Sequence, residues 1–108
     1  LERLAKDADE NIRIAIIENE NTPSNSLLEL ASDRSYNIRI YLARSRHLIS
    51  KDVSLQLLQH GDRQIRINIA NNLNTPVDIL TLLTQDNDRN VKVSALANPN
   101  LPSTVLSQ

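Results

Sequence analysis

Cysteine, methionine, tryptophan and phenylalanine are absent from this 108-residue chain, glycine occurs once and tyrosine twice. Without cysteine there is no disulfide, no thiolate zinc site and no chain-borne iron–sulfur cluster, and the redox compartment stays open. The single Gly61 excludes a glycine-rich phosphate loop and argues against a turn-rich β fold. The core must be built from Leu, Ile, Val and Ala, which dominate the 40% of apolar residues. An excess of one charge is also missing, with 12 Lys and Arg against 13 Asp and Glu and a net charge of −1. That balance argues against a dedicated nucleic-acid or membrane-surface module. No apolar run approaches the ~18 residues of a membrane span, and no signal peptide is visible. The length allows one domain of ordinary size, spanning 1–108.

What is present is repetition. The pair Ile-Arg recurs at Ile12-Arg13, Ile38-Arg39 and Ile65-Arg66, then as Val91-Lys92, at spacings of 26, 27 and 26 residues. A Leu pair recurs with it at Leu1/Leu4, Leu27/Leu30, Leu55/Leu58 and Leu80/Leu83. Matching residue types at matching offsets and a period near 26 are the signature of a helical solenoid.

Each repeat carries two helix-start signals. The first is Thr22-Pro23, Ser50-Lys51 and Thr75-Pro76, where a hydroxyl can cap and Pro at the first helical position loses no bond. It predicts helices A over roughly 23–32, 51–60 and 76–85, with a last one from Pro102. The second is Asp9, Ser35, Asp62 and Asp88, each three residues before its Ile or Val anchor, where a short oxygen acceptor caps helix B. Helix B is expected to end at Asn19, Asn72 and Asn98 through left-handed Asn, with Pro99 beyond the last; Gly61 is expected to close the third helix A.

Alternation of Ile12, Ile14 and Ile16, and of Ile65, Ile67 and Ile69, also suits a strand, which would give a horseshoe with one strand per repeat. The residue five after each anchor (Ile17, Ala43, Ala70, Leu96) is apolar, however, where alternation demands polar. On a helix, offsets 0, 2, 4 and 5 from the anchor fill one broad apolar arc and leave offsets 3 and 6 outside. Helix is the better fit.

Leu27, Leu30, Ala31, Asp33, Ile38 and Arg39, followed in the next repeat by Asn72, Thr75 and Pro76, resemble the bacterial leucine-rich repeat variant and, more distantly, HEAT-type helical repeats. The likeness runs over almost the whole chain. It implies an all-α, right-handed α-α superhelix, and it admits 3₁₀ geometry for one helix of each repeat. It also implies a cytoplasmic bacterial setting and no reaction. One member carries a cysteine-bound iron–sulfur cluster, which a chain without Cys cannot hold. Departures from the pattern are His60 for the Asp, Lys92 for the Arg, Leu101 for the Thr, and two additional residues within 46–49 of the second repeat.

Two features carry chemistry. The ladder Arg13, Arg39, Arg66, Lys92 places a cation inside each helix B's apolar arc, where it must reach water or meet an acid. Asp7, Asp9, Asp33, Asp62, Asp86 and Asp88 are the candidates, and the expected role is structural, tying neighbouring repeats; a phosphate-binding stripe is the alternative. Charge also turns from net −5 over residues 1–33 to net +5 over residues 34–51. The basic stretch makes Arg34, Tyr36, Tyr41, Arg44, Arg46, His47 and Lys51 the candidate partner-binding residues, beside the irregular loop of the second repeat. No catalytic, metal or cofactor site is indicated: His47 and His60 fall in different repeats, and helix capping accounts for the paired acids. The expectation is a non-catalytic protein-interaction scaffold of about four repeats, cut from a longer array and prone to self-association through its uncapped ends. Nucleic-acid binding through the ladder or the basic repeat is the alternative.

Overall fold

Aspartate or serine three residues before an apolar anchor starts a helix in every segment. The computed structural model describes residues 9–45, 50–59 and 61–106, and among these it forms eight helices and no strand. Helices B are α1 (Glu10–Glu18), α3 (Tyr36–Arg44), α5 (Arg63–Asn71) and α7 (Arg89–Ala97). Helices A are α2 (Ser24–Leu30), α4 (Lys51–Gln59) and α6 (Val77–Leu83), followed by the single turn α8 (Ser103–Leu106). Leu1, Leu4, Asp7, Arg46, His47 and His60 lie outside the described residues.

Caps at the B helices fall where the short acceptors stand. Asp9 accepts from the Asn11 N–H (2.9 Å), Asp62 from Ile65 (3.0 Å), and Asp88 from Asn90 (2.8 Å) and Val91 (3.2 Å). Ser35 occupies the cap of α3 without a side-chain capping bond; its hydroxyl donates instead to the Glu10 carboxylate.

The A helices start differently from the sequence expectation. Pro23 and Pro76 are the caps themselves, and helix begins one residue later. The preceding threonines do not cap. Thr75 Oγ1 donates to the Ile69 carbonyl at 2.6 Å, and Thr22 Oγ1 to the Ile16 carbonyl, so each closes the end of the previous helix B. Ser50 does cap, accepting from Val53 N–H at 3.2 Å. All three A helices are α, which corrects the 3₁₀ geometry that the resemblance admits. Seven to nine residues is too long for the poorer i→i+3 geometry, and i→i+3 bonds such as Ile79 N–H to Pro76 O (3.0 Å) and Asp86 N–H to Leu83 O (3.1 Å) occur at the ends.

A second correction concerns the asparagines. Asn19, Asn72 and Asn98 terminate the B helices in extended geometry (φ −75°, −76° and −68°), not in the left-handed region. Extended backbone swings the side chain sideways into the preceding segment. Asn72 Nδ2 donates to the carbonyls of Ala43 (3.0 Å) and Ser45 (2.9 Å), and Asn98 Nδ2 donates to those of Ala70 (2.9 Å) and Asn72 (3.0 Å). The opposite Oδ1 atoms accept from Asn74 and Asn100 N–H groups at 2.8 and 2.9 Å. Each of these two carboxamides is therefore saturated while buried, which removes the desolvation cost an unpaired amide would carry.

Packing follows two layers. The B helices contact one another in the order α1, α3, α5, α7, the A helices in the order α2, α4, α6, and successive helices from α2 to α7 contact across the layers. Offset 4 from the anchor is buried throughout (Ile16, Leu42, Ile69, Ala95), offset 5 is buried except at Leu96, and offset 2 is only half-buried where it was expected inside. At α7 the face is open: Lys92, Val93 (51%) and Leu96 (40%) are exposed. In α4 the inward residues are Val53 and Leu57, four apart, and Leu55 is 38% exposed, so the repeating register runs Leu30, Leu57, Leu83 and not through Leu55/Leu58. The cap positions 23, 50 and 76 give the second segment one additional residue, not two. Helix α4 ends at Gln59, and the Gly61 N–H bonds the Leu58 carbonyl at 3.0 Å. A Cβ at Gly61 would meet that oxygen at 3.0 Å and the Leu57 oxygen at 3.1 Å, a closeness that favours glycine there.

Two outcomes follow from the caps and the asparagines. Replacing Asn72 by Ala removes two buried hydrogen bonds and should lower unfolding free energy by about 1–3 kcal/mol more than Asn19→Ala, whose exposed side chain accepts from the Asn21 N–H, in parallel urea melts. Desolvation would raise the Asp88 carboxyl, but the Val91 and Asn90 N–H groups and the Arg63 guanidinium outweigh it and hold the group below its ordinary 3.8. A lowered folded value stabilises above 3.8 and is lost as pH falls through it. Asp88→Asn should therefore be less stable than wild type at neutral pH, and the gap should close below about pH 4.

Candidate interaction surface

In α1 and α5 the cation one residue after the anchor reaches the corner where the following helix A turns into the next helix B. Arg13 is 5% exposed and grips Asp33 with two donors, Nε to Oδ2 at 2.8 Å and Nη2 to Oδ1 at 3.3 Å. Arg66 holds Asp86 in the same way at 2.9 and 3.5 Å, and its Nη1 reaches the Gly61 carbonyl at 3.1 Å. Each corner carboxylate also accepts from the backbone of the residue that starts the next helix B, Ser35 or Asp88, at 2.8 Å. The acid thus comes from twenty residues further on, in the following segment. A charge pair so enclosed yields little net stability against an apolar substitute, but removing one partner strands the other.

Arg39 breaks the pattern. The position that corresponds to Asp33 and Asp86, two residues before the helix-B cap, holds His60. Arg39 donates through Nη1 to the Asp33 carbonyl at 2.6 Å, lies 5.7 Å from the Tyr36 ring centroid, and its buried Nε has no hydrogen-bond partner among the described residues. Lys92 is exposed and forms no ion pair among the described residues. The four cations therefore do not form a uniform stripe: two are committed to carboxylates, one to a carbonyl and a ring, and one faces solvent.

The described members of the basic patch are dispersed. Arg34 and Tyr36 lie at the start of α3 and Arg44 at its end, about 12 Å apart along a helix rising 1.5 Å per residue. Tyr36 is directed to Asp62; desolvation first, then the hydrogen bond to that carboxylate and its charge, push the phenol above its ordinary value, against Arg39. Tyr41 is raised likewise by desolvation and by its hydrogen bond to Glu18. Lys51 belongs to the A layer and pairs with Asp78 at 3.5 Å, an exposed contact worth little. Arg46 and His47 fall outside the described residues.

Offset 6 on the B helices is exposed throughout, and offset 3 beside it is half-buried from α3 onward, where Tyr41 packs against the core. They form two rows, Ala15–Tyr41–Asn68–Ser94 and Glu18–Arg44–Asn71–Ala97. Between α3 and α5 the rows border a cleft of about 430 Å³ lined by Arg44, Asn68, Asn71, Asn72, Leu73 and Asn74. Arg44 and Asn71 are exposed, and Leu73 is 61% exposed beside them. A second opening of about 490 Å³ lies over the Arg66–Asp86 pair, lined also by Leu58, Leu82, Gln85 and Asn87. The asparagine-rich cleft escaped the sequence reading, although Asn-x-Asn recurs as Asn19/Asn21, Asn72/Asn74 and Asn98/Asn100. Among the described residues no group of three or more His, Asp or Glu side chains could hold a metal, and no helix is long and apolar enough to cross a membrane. Neither a protein-family model, nor a curated protein, nor a solved structure matches the chain.

The buried pair sets an order of stabilities. Arg13→Ala should cost about 3 kcal/mol in a chemical melt, since Asp33 keeps the Ser35 amide but loses its counter-charge, whereas Lys92→Ala should stay within about 0.5 kcal/mol of wild type.

Proposed function

We propose that the chain is a non-catalytic interaction scaffold: a right-handed superhelix of four two-helix repeats, of the leucine-rich repeat variant kind, that binds a protein partner along its B layer. What supports this most is the division of labour within each helix B. Offsets 0, 4 and 5 build the core, and the cation at offset 1 is spent inside the fold in α1 and α5. The row at offset 6 is exposed throughout and changes chemistry from helix to helix, from Glu18 to Arg44 to Asn71. A surface built by stacking, with variable residues at fixed intervals, is how repeat proteins recognise extended partners. The cytoplasmic setting goes with the resemblance. Self-association, or a further repeat, at the exposed Val93 and Leu96 face of α7 belongs to the same reading.

Nucleic-acid binding is the second reading, favoured by Arg34 and Arg44, which are exposed and have no ion-pair partner among the described residues. The commitment of Arg13 and Arg66 to Asp33 and Asp86 weighs against it.

A capture experiment with native extract separates these readings. Partners held by wild type should be lost with Arg44→Glu/Asn71→Glu and kept with Glu29→Lys on the A layer. Retention of every partner by the first variant would remove the B layer from the interaction. Binding of duplex DNA whose affinity falls steeply with salt, in the same preparations, would instead support the second reading.

A further inference from the structure

We infer that the cleft between α3 and α5 is a binding site for an extended peptide that carries a carboxylate. The inference rests on the scaffold reading and names the chemistry of its partner. Among the described residues the lining contains one cation, four carboxamides and one exposed leucine, and no acid. Asn72 is fully used by the fold, with Nδ2 on two carbonyls and Oδ1 on the Asn74 amide. Asn71 is exposed and makes no side-chain hydrogen bond among the described residues, and Asn68 has only the 3.4 Å contact from Gln64. A carboxamide offers a donor and an acceptor side by side, which is the complement of a peptide group. Asn68 and Asn71 stand three apart on α5, so they share one face and can hold the main chain without reading its side chains.

Arg44 supplies selectivity. It lies in the same outer row as Asn71, one helix away, which is about 8–10 Å at ordinary helix packing distances. About three extended residues span that gap. The ligand is thus a strand segment with an Asp or Glu about three residues from the portion held by Asn71, and Leu73, 61% exposed, can cover an apolar side chain beside it. Glu18, in the same row on α1, limits the acid to the Arg44 position by repelling it further along. A phosphate group would also suit Arg44 but would leave the carboxamides without a matching main chain.

The test is amide NMR on the whole chain titrated with the blocked pentapeptide acetyl-Asp-Ala-Ala-Leu-Ala-amide, its Asn-for-Asp counterpart, and inorganic phosphate. The acidic peptide should shift the side-chain NH₂ signals of Asn68 and Asn71 and bind up to about fivefold more tightly than the counterpart, as one exposed charge pair allows. Arg44→Gln should abolish the difference between the two peptides, and Asn71→Ala should weaken both. Both substituted positions, Arg44 and Asn71, are exposed, so folding is preserved. Silent carboxamides with every peptide, or an Arg44→Gln variant that still prefers the acid, would overturn the inference. Phosphate reproducing the peptide shifts, with Asn71→Ala without effect, would overturn it in favour of a simple anion site. The scaffold reading itself stands or falls on the capture experiment, which uses no peptide.

Discussion

A buried carboxamide between two carbonyls of the neighbouring segment is the interaction on which the stack depends. Helix B must end somewhere, and ending it leaves carbonyls that need donors. Asn72 and Asn98 stand at that point, and each supplies its two donor hydrogens to the carbonyls of the previous segment. The carbonyl of Asn72 is itself one of the acceptors for Asn98, so one rung sets the position of the next. The last carbonyls of α3 and α5 are thereby satisfied by the following segment, and the core can close beneath them.

Charge holds the opposite edge of the B layer. Where asparagine ties helix ends, the Arg13–Asp33 and Arg66–Asp86 pairs tie the first turns to the corner of the following segment. The two devices differ in tolerance. An asparagine at the rung tolerates little replacement, because donor geometry and extended backbone are both required. The ionic edge already shows a substitution: Arg39 makes do with a carbonyl and the Tyr36 ring.

Much of the architecture was legible in the residues. Caps at Asp9, Asp62 and Asp88, helix ends at Asn19, Asn72 and Asn98, and an apolar fifth position that rejects a strand all concern neighbours in sequence. What escaped was non-local. Thr22 and Thr75 look like caps of the helix ahead, yet they bond to the helix behind, because Pro23 and Pro76 take the cap position. In α4 the apolar set Val53, Leu55, Leu57 and Leu58 allows more than one inward face, and contact with α2 and α6 selects Val53 and Leu57. Closeness in sequence did not translate into closeness in space for the described basic candidates: Arg34 and Arg44 flank α3 at its two ends, and Lys51 lies in the A layer. The cleft beside Arg44 joins residues about thirty positions apart, a separation no local pattern encodes.

The rungs reach only from one segment to the next. Asn98 touches Ala70 and Asn72, and Asn72 touches Ala43 and Ser45, along a body measuring 46 × 24 × 16 Å. Each rung is thus a joint between two adjacent segments. A tilt of a few degrees at each junction stretches no distant contact, yet the tilts add up along the long axis. The cost of bending the body along that axis is therefore shared among the junctions and concentrated in none.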